Sequence, residues 1–188
     1  MKEDNLVDRE TPRTAAEIAK RAIALHCVIA ASHGVSKSDI CEWLKSENIY
    51  DELSPWERGF IEAEQNTRRD IIQASWRVEA QVALLWSIQK IDHLDALSAQ
   101  CNSTPLVDAM PELFSPTSVF IESAKLRGDQ EIGEEYERIY DAHCEVRGAA
   151  RTGASAGYES GVVQERHYAM NWITGYCGQA WDDVTTDT

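Results

Sequence analysis

The sequence predicts an all-α domain, and three observations carry that prediction. Apolar residues recur at spacings of three and four through most of the 188-residue chain, the period that lines up one face of a helix. No stretch sustains the period-two alternation of a half-buried strand. Helix-start signatures stand directly before several of the periodic stretches. The expected architecture is an irregular bundle of six to eight helices around a buried, Trp-rich central helix at about 66–92, because the helices and linkers are too unequal for a regular four-helix bundle.

Residues 1–12 read as a polar N-terminal arm and residues 13–188 as a single helical domain, a length that suits one core. Thr14-Ala15-Ala16-Glu17 is a capping box, in which hydroxyl and carboxylate satisfy free amides at a helix start. The helix it opens is expected to run to about Ser32, with Gly34 ending it. Ser36-Lys37-Ser38-Asp39 opens a second helix that carries Ile40, Trp43 and Leu44 to about Asn48. Ser54-Pro55-Trp56-Glu57 starts a third, with Ser as N-cap and Pro at the first helical position, leading into the central helix. From Asn66 to Asp92 the sequence is polar at first and apolar on nearly every side after Trp76, which places the segment inside a protein with neighbours on several faces.

Residues 93–118 hold Pro105, Pro111 and Pro116 and read as loops with one-turn helices. A short helix follows up to Gly128. A long one spans Asp129 to about Arg151 on the stripe Ile132, Tyr136, Ile139, His143 and Val146. Residues 151–157 form a small-residue connector. The last strong helix spans about Tyr158 to Cys177, with Val162, Arg166, Ala169, Met170 and Ile173 on one face, and Trp181 and Val184 are expected to dock the tail.

Hydrophobic residues make up 43% of the chain, enough for a core, yet no window approaches the ~20 apolar residues of a membrane span. The mixed-charge start MKEDNLVDRE fits neither a signal nor a transit peptide. The five Cys (27, 41, 101, 144 and 177) are scattered and odd in number, the pattern expected of reduced thiols in a cytoplasm. The formal net charge is −14, unevenly spread: residues 1–94 carry 12 Lys+Arg against 16 Asp+Glu, and residues 95–188 carry 6 against 16. Such a field repels phosphate backbones and acidic headgroups and attracts a basic partner.

Several phrases carry a resemblance: Leu53-Ser54-Pro55-x-Glu57, Ser75-Trp76-Arg77-x-Glu79-Ala80, Leu84-Leu85-Trp86, and Glu165-Arg166-x-x-Ala169-x-Asn171-Trp172 followed by Trp181-Asp182-x-Val184-x-x-Asp187-Thr188. In that order they are similar to a family of uncharacterised, mostly bacterial proteins, domain-of-unknown-function family 4272, over about Arg13 to the C-terminus. The resemblance implies a soluble helical domain. It carries over no activity and assigns no catalytic residue.

Polar residues on apolar faces are the remaining clue. Glu79 shares a helix face with Trp76, Ala83 and Trp86, and Arg166 falls within the Val162–Ala169–Ile173 stripe. A charge so placed is paired, solvated or neutralised. One expectation is structural, with Glu79 pairing with Arg166 and Arg77 with Glu165 across two helices. The other is functional, a ligand pocket lined by Trp76, Glu79, Tyr140, His143 and Arg166. His143 sits on an apolar stripe, where an imidazole either donates to a core carbonyl or, near a carboxylate, acts as a base. His167 is about 100° round the helix from Arg166.

No Glu-x-x-His, Cys-x-x-Cys or His-Glu-x-x-His occurs, so no metal and no cofactor are expected. There is no Gly-x-Ser-x-Gly elbow and no Gly-rich phosphate loop. The segment 35–45 has a faint helix-turn-helix look, but Asp39 and Glu42 would repel phosphates. The leading functional expectation is an acidic, non-catalytic protein-interaction module, such as an inhibitor of a basic protein. The competing one is a small-molecule binding protein or enzyme built around Glu79, His143 and Arg166.

Overall fold

The computed structural model describes residues 11–188, and nearly all of its regular structure is α-helix: α1 (Ala15–Ser32), α2 (Lys37–Ser46), α3 (Pro55–Glu62), α4 (Arg68–Trp76), α5 (Val78–Ser87), α6 (Thr104–Ala109), α7 (Ser118–Glu122), α8 (Asp129–Thr152) and α9 (Ser160–Thr174). Three single 3-10 turns, Tyr50–Glu52, Tyr176–Gly178 and Trp181–Asp183, complete it, and the described residues contain no strand. With α4 and α5 counted as one bent helix, the described residues form eight helices. None of them is long and apolar enough to cross a membrane. Most of the expected polar arm, residues 1–10, lies outside the described residues.

The helix starts follow their local chemistry. Thr14 and Glu17 form the capping box of α1, and Ser54 and Glu57 form that of α3. Thr67 and Asp70 form a third box, at the start of α4. Thr67 accepts from the Asp70 amide at 3.2 Å and Asp70 from the Thr67 amide at 3.1 Å, so α4 begins anew rather than continuing α3. Ala63 is extended, and Asn66 bonds back to the Phe60 carbonyl at 3.0 Å, closing the corner between them.

The central helix is bent at Arg77 and shorter than its sequence suggests. At Arg77 the ladder tightens, its amide bonding to Ala74 at 3.3 Å instead of the carbonyl four residues back. One turn earlier the Ser75 hydroxyl takes the Ile72 carbonyl at 2.8 Å, a side-chain competition that bends helices. The helix stops at Ser87 because Gln89 turns left-handed (φ 58°) and the Lys90 amide closes on Leu85 at 2.9 Å, a Schellman-type ending that needs no glycine.

From Glu79 to Ser87 every residue of α5 is buried. α1 and α9 pack on it as the two main walls, α8 covers α9, and α4 leans on α1. Ile18, Ile23, Leu25, Leu84, Leu85 and Met170 are sealed completely. After α9 the chain folds back. Trp181 is buried between the Tyr168 and Trp172 rings, edge-on to both, with the Arg21 guanidinium 5.0 Å from its ring centre. Asp182 accepts from the first free amide of α3, that of Trp56, at 2.8 Å. At the other end of the described chain, the Arg13 amide bonds to the Ile173 carbonyl at 2.9 Å.

Where α9 begins, Gly161 lies under the Trp76 ring, and a Cβ there would fall 2.7 Å from that ring. Gly161→Ala must therefore push a rigid indole aside. The expected loss is about 1–3 kcal/mol, seen as a lower melting temperature together with a shift in tryptophan emission.

Candidate functional site

The seam between α5 and α9 holds two ion pairs. Arg166 donates through Nε and Nη2 to one carboxylate oxygen of Glu79, at 3.2 and 3.0 Å, and both side chains are fully buried. The second oxygen of Glu79 accepts from the Cys101 amide at 2.7 Å, and Nη1 of Arg166 donates to the Asp95 carbonyl. Burial of both charges is tolerable because nearly every donor and acceptor is used. Toward the start of α9, Arg77 meets Glu165 at 3.0 Å, with its guanidinium 4.6 Å from the centre of the Tyr168 ring. Burial raises the Glu165 carboxyl above its ordinary pKa; the Arg77 charge draws it back and the nearby Glu79 charge adds to the rise.

The five residues expected to line one pocket are not brought together. Glu79 and Arg166 face each other with no exposed surface. Trp76 lines a cleft of about 410 Å³ whose other walls include Ile29, His33, Val78, Cys101 and Val107. Tyr140 is on the outer surface of α8, and His143 is buried one turn further along, against α9. The cleft touches the ion pair only through Cys101, whose amide bonds to Glu79. Burial, and then the Glu79 charge, push the Cys101 thiol up to about 12, so near neutral pH it stays protonated.

Two arrangements escaped sequence reasoning. His143 and His167 share a hydrogen bond between their Nδ1 atoms at 2.7 Å, both rings buried, so one ring donates and the other accepts. Tyr136 and Tyr140 stand edge-on to the His167 ring. Burial pushes His167 down to about 4, the proximity of His143 adding to the fall; burial also lowers His143, helped by the charge of Arg147. The second is a further buried ion pair, Arg21 of α1 with Glu57 of α3. Glu57 serves its capping box and this pair at once. The only signal in the sequence was an Arg among the apolar residues of α1.

Among the described residues no group of three or more His, Cys, Asp or Glu is placed to hold a metal ion. A family model described as a domain of unknown function (DUF4272) matches residues 6–184. The chain belongs to the DUF4272 family. No curated protein and no solved structure matches it. The phrases on which the DUF4272 likeness rests fall on the parts that hold the fold: Glu79, Arg77, Glu165 and Arg166 on the ion-paired seam, Ser54 and Glu57 on the α3 cap, and Trp181 and Asp182 on the docked tail.

Proposed function

We propose that the protein is a non-catalytic interaction module that meets a basic protein partner through an acidic surface. The observation that carries this reading is the outer face of α8. That helix holds seven acidic residues against three Arg, and Glu134, Glu137, Asp141 and Glu145, spaced by three and four, form one exposed line. Gln130 donates to Glu134, but none of the other three enters an ion pair among the described residues. With a net charge of −14 behind it, such a line steers a basic partner and gives fast, salt-sensitive association.

The test is isolation of the protein with its partners at low salt, followed by native mass spectrometry. A basic protein should accompany it, bind about tenfold more weakly between about 0.05 and 0.3 M salt, and be lost from a Glu137→Lys/Asp141→Lys variant. Association indifferent to salt and to that reversal would sink the reading. A second reading, a small-molecule site, is favoured by the cleft beside Trp76, where apolar walls meet the polar groups of His33, Ser75 and Gln100. Quenching of Trp76 emission by an uncharged aromatic compound, absent in Trp76→Phe, would support it.

A further inference from the structure

We propose that the cleft between the first half of α8 and the end of α9 seats a basic, amphipathic helix of the partner protein. The proposal rests on the acidic-surface reading and gives it a place and an occupant. The cleft measures about 410 Å³ and its walls are mostly apolar, among them Leu126, Ile132, Tyr136, Ile173 and Tyr176.

Gly133 forms part of the α8 wall. A glycine inside a helix is destabilising relative to alanine, and packing does not require one here: no heavy atom lies within 4 Å of where a Cβ would stand. What the missing side chain does is leave the cleft open between two helices, the shape into which a third helix can lay an apolar stripe.

Charge selects the kind of helix. Among the described residues Asp129 is the one Asp, Glu, Lys or Arg in the walls, and Glu134 and Glu137 are exposed on α8 one residue after the wall positions Gly133 and Tyr136. Of the cations nearest in sequence, Lys125 is exposed beside Leu126, while Arg127 and Arg13 are engaged. Arg127 donates to the Trp86 and Ile91 carbonyls at 2.7 and 2.9 Å and pairs with Glu131. Arg13 donates to the Gln179 carbonyl at 2.9 Å and lies over Trp172. An acidic or phosphate-bearing occupant would be repelled. A helix with apolar residues at three- and four-residue spacing, flanked by Lys or Arg, satisfies both the apolar walls and their acidic border.

The probe is a fluorescein-labelled peptide of about 14 residues made of Leu and Lys, with Leu at helical spacing, titrated with the full chain at low salt and read by anisotropy. A scrambled peptide of the same composition is the comparison. The amphipathic peptide should bind about tenfold more tightly than the scrambled one. Gly133→Leu, which fills the cleft and favours the helix, should remove that advantage without lowering the melting temperature. Glu137→Lys/Asp141→Lys should weaken both peptides. If the charge reversal weakens binding and Gly133→Leu does not, the cleft proposal is overturned while the acidic-surface reading stands. If the reversal changes nothing, both fall. Equal binding of the two peptides also overturns the proposal. So does self-association without peptide that Gly133→Leu abolishes, since it would give the cleft to a second copy of the chain.

Discussion

Glu79→Ala should destabilise the protein by about 3–5 kcal/mol, because it strands the buried Arg166 guanidinium without its counter-charge. In a chain of this length that is a fall of roughly 6–20 °C in melting temperature. It is also a large share of the about 5–15 kcal/mol that holds most domains together. Thermal and urea melts measure it, with Arg138→Ala as the control. The Arg138–Glu135 pair joins an exposed Arg to a half-buried Glu, and removing the exposed partner should cost about 1 kcal/mol. The double change Glu79→Leu/Arg166→Met should regain most of the loss, since replacing a buried pair with apolar residues is often neutral. It should still fall short of the native protein by about 1–3 kcal/mol, because the Cys101 amide is left without its acceptor. A Glu79→Ala variant that melts with the native protein would show that Arg166 finds compensation elsewhere.

Mild acid should weaken the fold well before its surface carboxylates are protonated. In an unfolded chain an imidazole takes up its proton near 6.5, whereas folded His167 resists protonation down to about 4. Between those values the unfolded state binds more protons, so stability is complete above pH 6.5 and drains away as the pH falls toward 4. The loss for His167 is of order 3 kcal/mol. His143, also depressed, adds in the same direction. Two protonated rings cannot keep a bond between their Nδ1 atoms. Arg147, which bears on His143, opposes a second charge there. Urea midpoints at steps from pH 7 to pH 4 provide the measurement, compared with a His143→Leu/His167→Phe variant. The native protein should lose stability steeply over that range and the variant only shallowly. Parallel curves would remove the pair as the cause.

The helices were legible wherever local chemistry decides them. Thr14 with Glu17, and Ser54 with Glu57, announce their helix starts because a capping box needs only residues three apart. Thr67 with Asp70 makes the same motif with the shorter acid, inside a stretch whose helical pattern runs on from Asn66 without a break. The bend at Arg77 has no Pro or Gly to mark it; it depends on a Ser75 rotamer, which a sequence pattern does not display. The polar contacts divide in the same way. Glu79 and Arg166 each stood out because each interrupts an apolar stripe. Arg21 and Glu57 did not: a capping role already explained Glu57, and nothing local ties the two together. The meeting of His143 and His167 depends on how α8 is rotated against α9, a tertiary quantity to which neither helix pattern refers. Tyr140, one turn before His143 on α8, lies toward the outer side and stays exposed for the same reason.

The enclosure of α5 between the first long helix and the last has a consequence for the order in which the chain can fold during synthesis. Glu79 leaves the ribosome 87 residues before Arg166, a delay of about 4–17 s at ordinary elongation rates. Through that interval α5 has α1 on one side and no α9 on the other, and its carboxylate must stay in water. The early helices can assemble only a half-open core. The nascent chain closes it when α9 arrives, which makes the part from Ser160 onward the step that commits the whole domain.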